Sequence, residues 1–187
     1  VADGDVADFA VVLAAQGNSG DTSLFLVELN DDSVRREAVE MVDPTRSHVE
    51  MTFEGTAAEL LGEPGEGWSI TQAVFDRAAI LMAFEQVGGA QSCLDMAVDY
   101  AKNRFAFGRA IGSYQAIKHK LADIYVATEL ARANAYYGAW ALATDAPDLA
   151  TAAAAARVAA SEAYNLAARE NIQTHGGMGF TWEFDCH

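Results

Sequence analysis

The chain has 187 residues, 51% hydrophobic and 21% charged, which is ordinary composition for a folded globular protein. Twelve basic against 27 acidic residues give a net charge of -15, a balance that repels phosphate backbones and anionic lipid, so nucleic acid is not an expected partner. No run of 18 or more apolar residues is free of charge: Glu85 interrupts one candidate and Arg157 the alanine-rich other, so no membrane span is expected.

The chain begins at Val1 without an initiator Met or a basic-then-apolar leader, which suits a piece of something longer. Up to about residue 61 the pattern is strand-like. "ADFAVVLAA", then "TSLFLVEL" after the turn signal "QGNSGD", then "HVEMTF" are rich in β-branched and aromatic residues, as in part of an antiparallel β unit. "GEPGEGW", Gly62 to Trp68, holds three glycines and a proline, and Ser69 and Gln72 follow at capping-box spacing. The expected organisation is therefore a β region over 1–61, a linker at 62–68 and a helical region over 69–187.

The first helix is expected from about Ile70 to Asn103, roughly 50 Å at 1.5 Å per residue. "FGRAIG", Phe107 to Gly112, breaks it, and Ser113 is placed as N-cap of a second helix reaching about Thr144. "DAPD", Asp145 to Asp148, makes the next turn, with Pro147 suited to a first helical position. A third helix runs to about Thr174 and ends at Gly176 and Gly177, where a left-handed C-cap is favoured. Three long helices with short loops imply an antiparallel bundle, and the alanine run "TAAAAARVAA" reads as close helix packing. The fold class is α+β: the latter part of an antiparallel β-domain followed by a bundle of long helices.

Three segments could carry chemistry. In "AAILMAFEQVGGAQ" the single carboxylate, Glu85, has no cation at helical spacing. If buried it would be unpaired and its pKa would rise, as a general base near neutral pH requires. Gly88 and Gly89 beside it leave room for a ligand. The alternative turns Glu85 outward, to solvent or to a partner's arginine. "NRFAFGRAIGSYQAIKHKLADI" sets Arg104 and Arg109 around a helix-helix turn ahead of Gln115 and Lys118, a pattern that suits phosphate or pyrophosphate, although taken bare it is better explained by cations complementing a helix C-terminus and the acidic surface. "NIQTHGGMGFTWE" runs a helix end into three glycines in four residues, a turn whose amides can approach a ligand or simply end the helix. His48, His119, His175 and His187 show no H-x-x-x-H spacing, so no metal site is expected. Cys93 and Cys186 form no C-x-x-C pair, which suits free thiols in a reducing cytoplasm.

Taken in order, "HVEMTFEGTAAELLGEPGEGW", the stretch Val74 to Leu81, "YAKNRFAFGRAIGSYQAIKHKLAD" and "IQTHGGMGFTWE" resemble consecutive segments of the acyl-CoA dehydrogenase flavoproteins, over essentially the whole chain. The ending "GGMGFTWEFDCH" is similar to actinobacterial members that act on bulky acyl-CoAs, some as mixed assemblies. The resemblance implies that 1–61 is the later half of the central β-domain and 69–187 the C-terminal helical domain, with the N-terminal helical domain outside this window. It implies FAD at a subunit interface, contacted by Arg104, Phe107, Gln115 and by Gln173, Thr174, His175, Gly176 and Gly177. It places Asp76 and Arg77 at the substrate.

The implied reaction takes the α-proton of an acyl-CoA thioester onto a carboxylate while the β-hydrogen passes as hydride to FAD, giving a trans-2-enoyl-CoA. Electrons then leave to an electron-transferring flavoprotein. A homo- or hetero-oligomer, a dimer of dimers, is implied. The chain departs from the family at the base. One family position lies in a Tyr-Glu-Gly-Thr-like motif beyond the Q-x-x-G-G turn, and the other aligns with Ala78. Glu85, two helical turns beyond Ala78 and about 10 Å further along the axis, is the candidate base in this window. The alternatives are that Glu85 lines the acyl pocket, or that the base lies in the missing tail or a partner subunit. A non-catalytic partner subunit and a related flavoprotein oxidase are the competing functions.

Overall fold

A computed structural model describes residues 1–17, 20–43 and 45–187. Asn18 and Ser19 of the expected "QGNSGD" turn lie outside the described residues. The chain forms two units, Val1–Ala73 and Val74–His187.

In the first unit β1 (Phe9–Ala15), β2 (Thr22–Glu28) and β5 (Glu59–Leu61) make an antiparallel sheet in the order β1-β2-β5, with Leu13 opposite Leu24 and Leu24 opposite Leu61. A second antiparallel pair joins β3 (Val34–Ala38) to β4 (Val49–Phe53). Leu24, Val27, Leu29 and Val49 are its buried apolar residues. The sequence pattern marks β1, β2 and β4 but not β3 or β5. In β3 the charged "VRREA" hides the alternation: the Arg36 guanidinium donates to the carbonyls of Gly4, Asp5 and Ala7, so a basic residue acts as the tie to the N-terminal loop.

Helix α1 runs Gly67–Asn103, two to three residues earlier than the Ser69/Gln72 pattern implies. Ser69 does not cap it; its hydroxyl donates back to the Glu66 carbonyl at 2.8 Å. The early start is set by packing. A Cβ on Gly67 would lie 2.7 Å from the Ser23 backbone, and one on Gly62 3.2 Å from Ile70, so the first turn of α1 is seated on the β unit and the division between units falls inside the helix.

After α1 a two-residue hairpin, β6 (Phe105–Ala106) with β7 (Arg109–Ala110), turns through Phe107 (φ 53°) and Gly108 (φ 80°). The expected loop is thus an ordered turn of the kind that demands two positive φ values. A 3-10 turn at Ile111–Ser113 follows, then α2 (Gln115–Ala143). Tyr114, not Ser113, is the N-cap, and the Ser113 hydroxyl donates to the Ala110 carbonyl. Helix α3 spans Leu149–His175 with Asp148 as its N-cap, so Pro147 precedes the helix instead of opening it. Gly176 ends α3 with φ 62° and ψ -136°: a positive φ, but outside the left-handed helical region, leading into a 3-10 turn at Gly176–Phe180.

The three helices pack through small residues. Ala83 and Val87 of α1, Ala131 and Ala135 of α2, and Ala156, Ala160 and Ala163 of α3 form one buried cluster; Ala90, Leu94, Ile124 and Ala167 form the next. Alanine lets the axes approach, so the alanine run is a packing surface. A Cβ on Gly138 would stand 3.2 Å from Ile80 for the same reason. Cross-helix polar ties fix the register: Arg157 donates to Gln86 at 2.7 Å, Arg132 to Gln91 at 2.7 Å, and Lys120 pairs with Glu170 at 2.6 Å. These pairings run α1 and α2 antiparallel, α2 and α3 antiparallel, and α1 and α3 parallel. That brings the C-terminal ends of α1 and α3 to the same end of the bundle.

Candidate functional site

At that shared end lies a cavity of about 410 Å³ lined by Tyr100, Arg104, Ile111, Thr174, His175, Gly176, Gly177 and Met178. Each wall is held by backbone. The Arg104 N–H donates to the Tyr100 carbonyl and the Arg104 carbonyl accepts from the Ile111 N–H, both at 2.8 Å, so the arginine is pinned between the end of α1 and the strand β7 exit. Opposite it, the His175 Nδ1 is 2.9 Å from the Asn171 carbonyl. A carbonyl only accepts, so Nδ1 carries the hydrogen. The buried His175 ring stacks on Tyr100 at 4.1 Å and meets Phe184 at 5.4 Å.

The chemistry of this cavity suits an anion. Ion pairs among the described residues engage Arg35, Arg46, Lys120, Arg132 and Arg169, and neither Arg104 nor Arg109 is among them. In a chain of net charge -15 an arginine without a carboxylate is a cation kept available. Arg109 instead lies over the Tyr114 ring at 3.9 Å, and the Tyr114 hydroxyl donates to the Ala106 carbonyl at 3.1 Å, bracing the hairpin. A Cβ at Gly176 or Gly177 would meet nothing within 4 Å, so the open space beside this backbone is real and a ligand can come against it. The residues fit a phosphate-bearing cofactor.

Of the eight residues expected at the cofactor, Arg104, Thr174, His175, Gly176 and Gly177 converge on the cavity. Phe107, Gln115 and Gln173 do not line it; all three are exposed, Phe107 at 98% on the hairpin tip. Tyr100, Ile111 and Met178 were missed by sequence reasoning. Tyr100 had a usable signal, one helical turn before Arg104 on the same face.

Glu85 lies elsewhere. It is 19 residues before Arg104, which follows the last residue of α1, so the two are separated by about 28 Å of helix rise, and Glu85 is exposed. Its stripe of α1 is apolar and open: Phe75, Ala78, Leu81 (67% exposed), Met82 and Gly88 share that face. Among the described residues the Glu85 side chain is left exposed, so the burial considered from the sequence is not met by these residues alone. The two glycines beside it also differ from expectation. Gly88 opens onto free space, but a Cβ on Gly89 would stand 2.7 Å from the Tyr164 ring, so Gly89 accommodates α3 and not a ligand. Asp76 is half-buried and Arg77 exposed, two to three turns before Glu85. Among the described residues no group of His, Cys, Asp or Glu could hold a metal ion, and no helix is long and apolar enough to cross a membrane.

Residues 65–187 match the family described as "Acyl-CoA dehydrogenase, C-terminal domain". The chain belongs to the acyl-CoA dehydrogenase family. It is 43% identical over 187 residues to acyl-CoA dehydrogenase IpdE2 of Mycobacterium tuberculosis, covering 100% of this chain and 51% of that protein. It is 41% identical over 124 residues to the human mitochondrial short-chain specific acyl-CoA dehydrogenase, covering 66% of this chain and 30% of that protein. Butyryl-CoA dehydrogenase from Megasphaera elsdenii superposes with a TM-score of 0.91 at 27% identity, over 99% of this chain and 50% of that one. The chain therefore spans about half the length of IpdE2 and of the butyryl-CoA enzyme. Short antiparallel strands followed by long helices are the architecture of this part of an acyl-CoA dehydrogenase.

Proposed function

We propose that the full-length protein dehydrogenates an acyl-CoA thioester to the trans-2-enoyl-CoA with FAD as its cofactor. The observation that carries this reading is the cavity between the ends of α1 and α3, where Arg104 stands without a carboxylate opposite the open Gly176–Gly177 backbone. Arg104 and the Thr174–Gly177 turn hold the pyrophosphate, the guanidinium by charge and the turn by close backbone approach. FAD, when bound, supplies the acceptor for the substrate's β-hydrogen as hydride. Phe107, Gln115 and Gln173, which face outward, complete the contact from a neighbouring subunit in a homo- or hetero-oligomeric dimer of dimers. An electron-transferring flavoprotein takes the electrons, and the protein works in the cytoplasm on fatty acyl or related lipid thioesters.

Glu85 receives the α-proton at its carboxylate. Leu81, Met82 and Gly88 make the apolar floor around it, and the rest of the full-length protein closes over that stripe, excluding water and favouring the protonated acid once the proton is taken. Asp76 and Arg77, nearer the start of α1, orient the thioester end of the substrate.

One observation favours a second reading. About 28 Å of helix rise along α1 separates Glu85 from Arg104 at the helix's C-terminal end, so one chain can serve a neighbour's cofactor with Arg104 while performing no chemistry at Glu85. That is the non-catalytic partner subunit of a mixed assembly. Anaerobic addition of acyl-CoAs to the full-length protein, alone and with candidate partner subunits, separates the two. The enzymatic reading expects flavin bleaching that Glu85→Gln reduces by about 10³-fold or more. Bleaching unchanged in Glu85→Gln removes Glu85 as the base.

A further inference from the structure

His175 is 5% exposed, and it lines two cavities. One is the Arg104 cavity; the other, of about 330 Å³, has Asp99, Glu183 and Asp185 in its wall. Tyr100, whose ring stacks on the imidazole, also lines both. These two rings thus stand between a cationic space and an acidic one, and Phe184 of the tail packs against the imidazole at 5.4 Å. None of the three carboxylates is in an ion pair among the described residues, so their charge is not cancelled within the chain.

The hydrogen-bonding capacity of the ring is half used. Nδ1 donates to the Asn171 carbonyl at 2.9 Å, which leaves Nε2 of the neutral ring a bare acceptor. Nε2 makes no hydrogen bond to the described residues, and it is not one of the sealed polar atoms without a partner, which are those of the Asn171 amide. It therefore touches open space, which the two cavities supply. An ionised phosphate only accepts, so a bare Nε2 offers it nothing, whereas a protonated ring offers both a donor and a charge. From α1, Arg104 opposes a positive charge on the ring and Asp99 favours it. From the tail, Glu183 and Asp185 favour it, all three carboxylates being weakened by exposure. On α3 itself Glu170 is paired with Lys120, and the Gly176–Phe180 turn carries no titratable side chain. A phosphate beside Arg104 cancels the one opposing charge and adds an attraction.

We propose that the His175 side chain takes up a proton when the cofactor's pyrophosphate enters the Arg104 cavity, and then acts as the second cation of that cradle. This regulation rests on the cofactor reading above and belongs to the same site. One proton passes from solvent to the ring as the anion binds and returns to solvent on release. Cofactor affinity therefore rises as pH falls through the range in which histidine gains charge, and the bound anion holds the proton on the ring by the same coupling.

The test titrates FAD into apo full-length protein and into His175→Gln at about pH 8 and about pH 6, with flavin fluorescence as the readout. Calorimetry in two buffers of different ionisation enthalpy counts the protons taken up. The parent should bind about fivefold to tenfold more tightly at the lower pH, with net proton uptake. His175→Gln should change by less than about twofold and lack that uptake. FAD's own titration is common to both proteins and cancels. Should His175→Gln fail to fold, the exposed pair Asp99→Asn with Glu183→Gln decides: its affinity profile should move to lower pH, and an unmoved profile overturns the proposal. Parent protein with the pH dependence of folded His175→Gln, or without proton uptake, overturns the role of His175 and leaves the cofactor reading standing. A parent that binds no FAD at either pH overturns both.

Discussion

Tyr100 and His175 stack with ring centroids 4.1 Å apart and planes tilted by 30°, tying the last turn of α1 to the last turn of α3. Both rings line the Arg104 cavity, so the contact that joins the two helices also builds the candidate site. Tyr100→Ala should cost about 1–3 kcal/mol of stability and loosen cofactor retention, through loss of ring area and of the stack. Tyr100→Phe keeps the ring and should stay within about 0.5 kcal/mol of the parent. Denaturant unfolding with flavin content read in parallel checks both.

Neighbouring glycines should respond with opposite signs. Gly88→Ala adds a methyl group to open space within a helix and should stabilise by up to about 1 kcal/mol. Gly89→Ala drives the same methyl group to 2.7 Å from the Tyr164 ring, forcing the ring aside, and should destabilise by about 1–2 kcal/mol. Paired urea midpoints decide; two shifts of the same sign would contradict the α1–α3 packing described above.

Cys93 sets a pH dependence at the alkaline end. Burial first, then the Cys186 charge, raises its thiol above the ordinary value of 9.0. Between the unfolded and the folded values the folded chain keeps a proton that the unfolded chain has lost, so this contribution is whole below pH 9.0 and disappears as pH rises through the folded value. Cys93→Ala should flatten the fall of stability with pH above about 9. The measurement is unfolding midpoint against pH, under reducing conditions so that the thiol is free.

Much of the fold was legible because periodicity and composition carry it. β1, β2 and β4 are rich in β-branched and apolar residues, and the three helices are long enough for helix propensity to dominate. Where the reading failed, tertiary contacts overrode a local rule. Ser69, Ser113 and Pro147 occupy plausible end positions, but α1 begins where Gly67 packs on Ser23 and α2 is capped by Tyr114, whose hydroxyl holds the hairpin. β3 was hidden by Arg35, Arg36 and Glu37, because Arg36 is used as a tie to distant carbonyls.

The site divides in the same way. Arg104 and the Thr174–Gly177 turn could be marked from motif residues, and the parallel run of α1 and α3 brings them together. Tyr100, one helical turn before Arg104, had a usable spacing signal, whereas Ile111 and Met178 complete the wall through packing that no local pattern announces. Glu85 was singled out as an acid in an apolar run, yet helical faces in so apolar a segment do not tell inside from outside, and α1 turns it outward.

The central claim is that Arg104 and the Thr174–Gly177 turn form one cradle for the cofactor's pyrophosphate. Titrating FAD into apo full-length protein and into Arg104→Ala, with flavin fluorescence as the readout, tests it directly. The account expects affinity to fall by about tenfold to a hundredfold in Arg104→Ala, with partial recovery in Arg104→Lys and an unchanged unfolding midpoint. FAD affinity equal to that of the parent in a folded Arg104→Ala protein would contradict it.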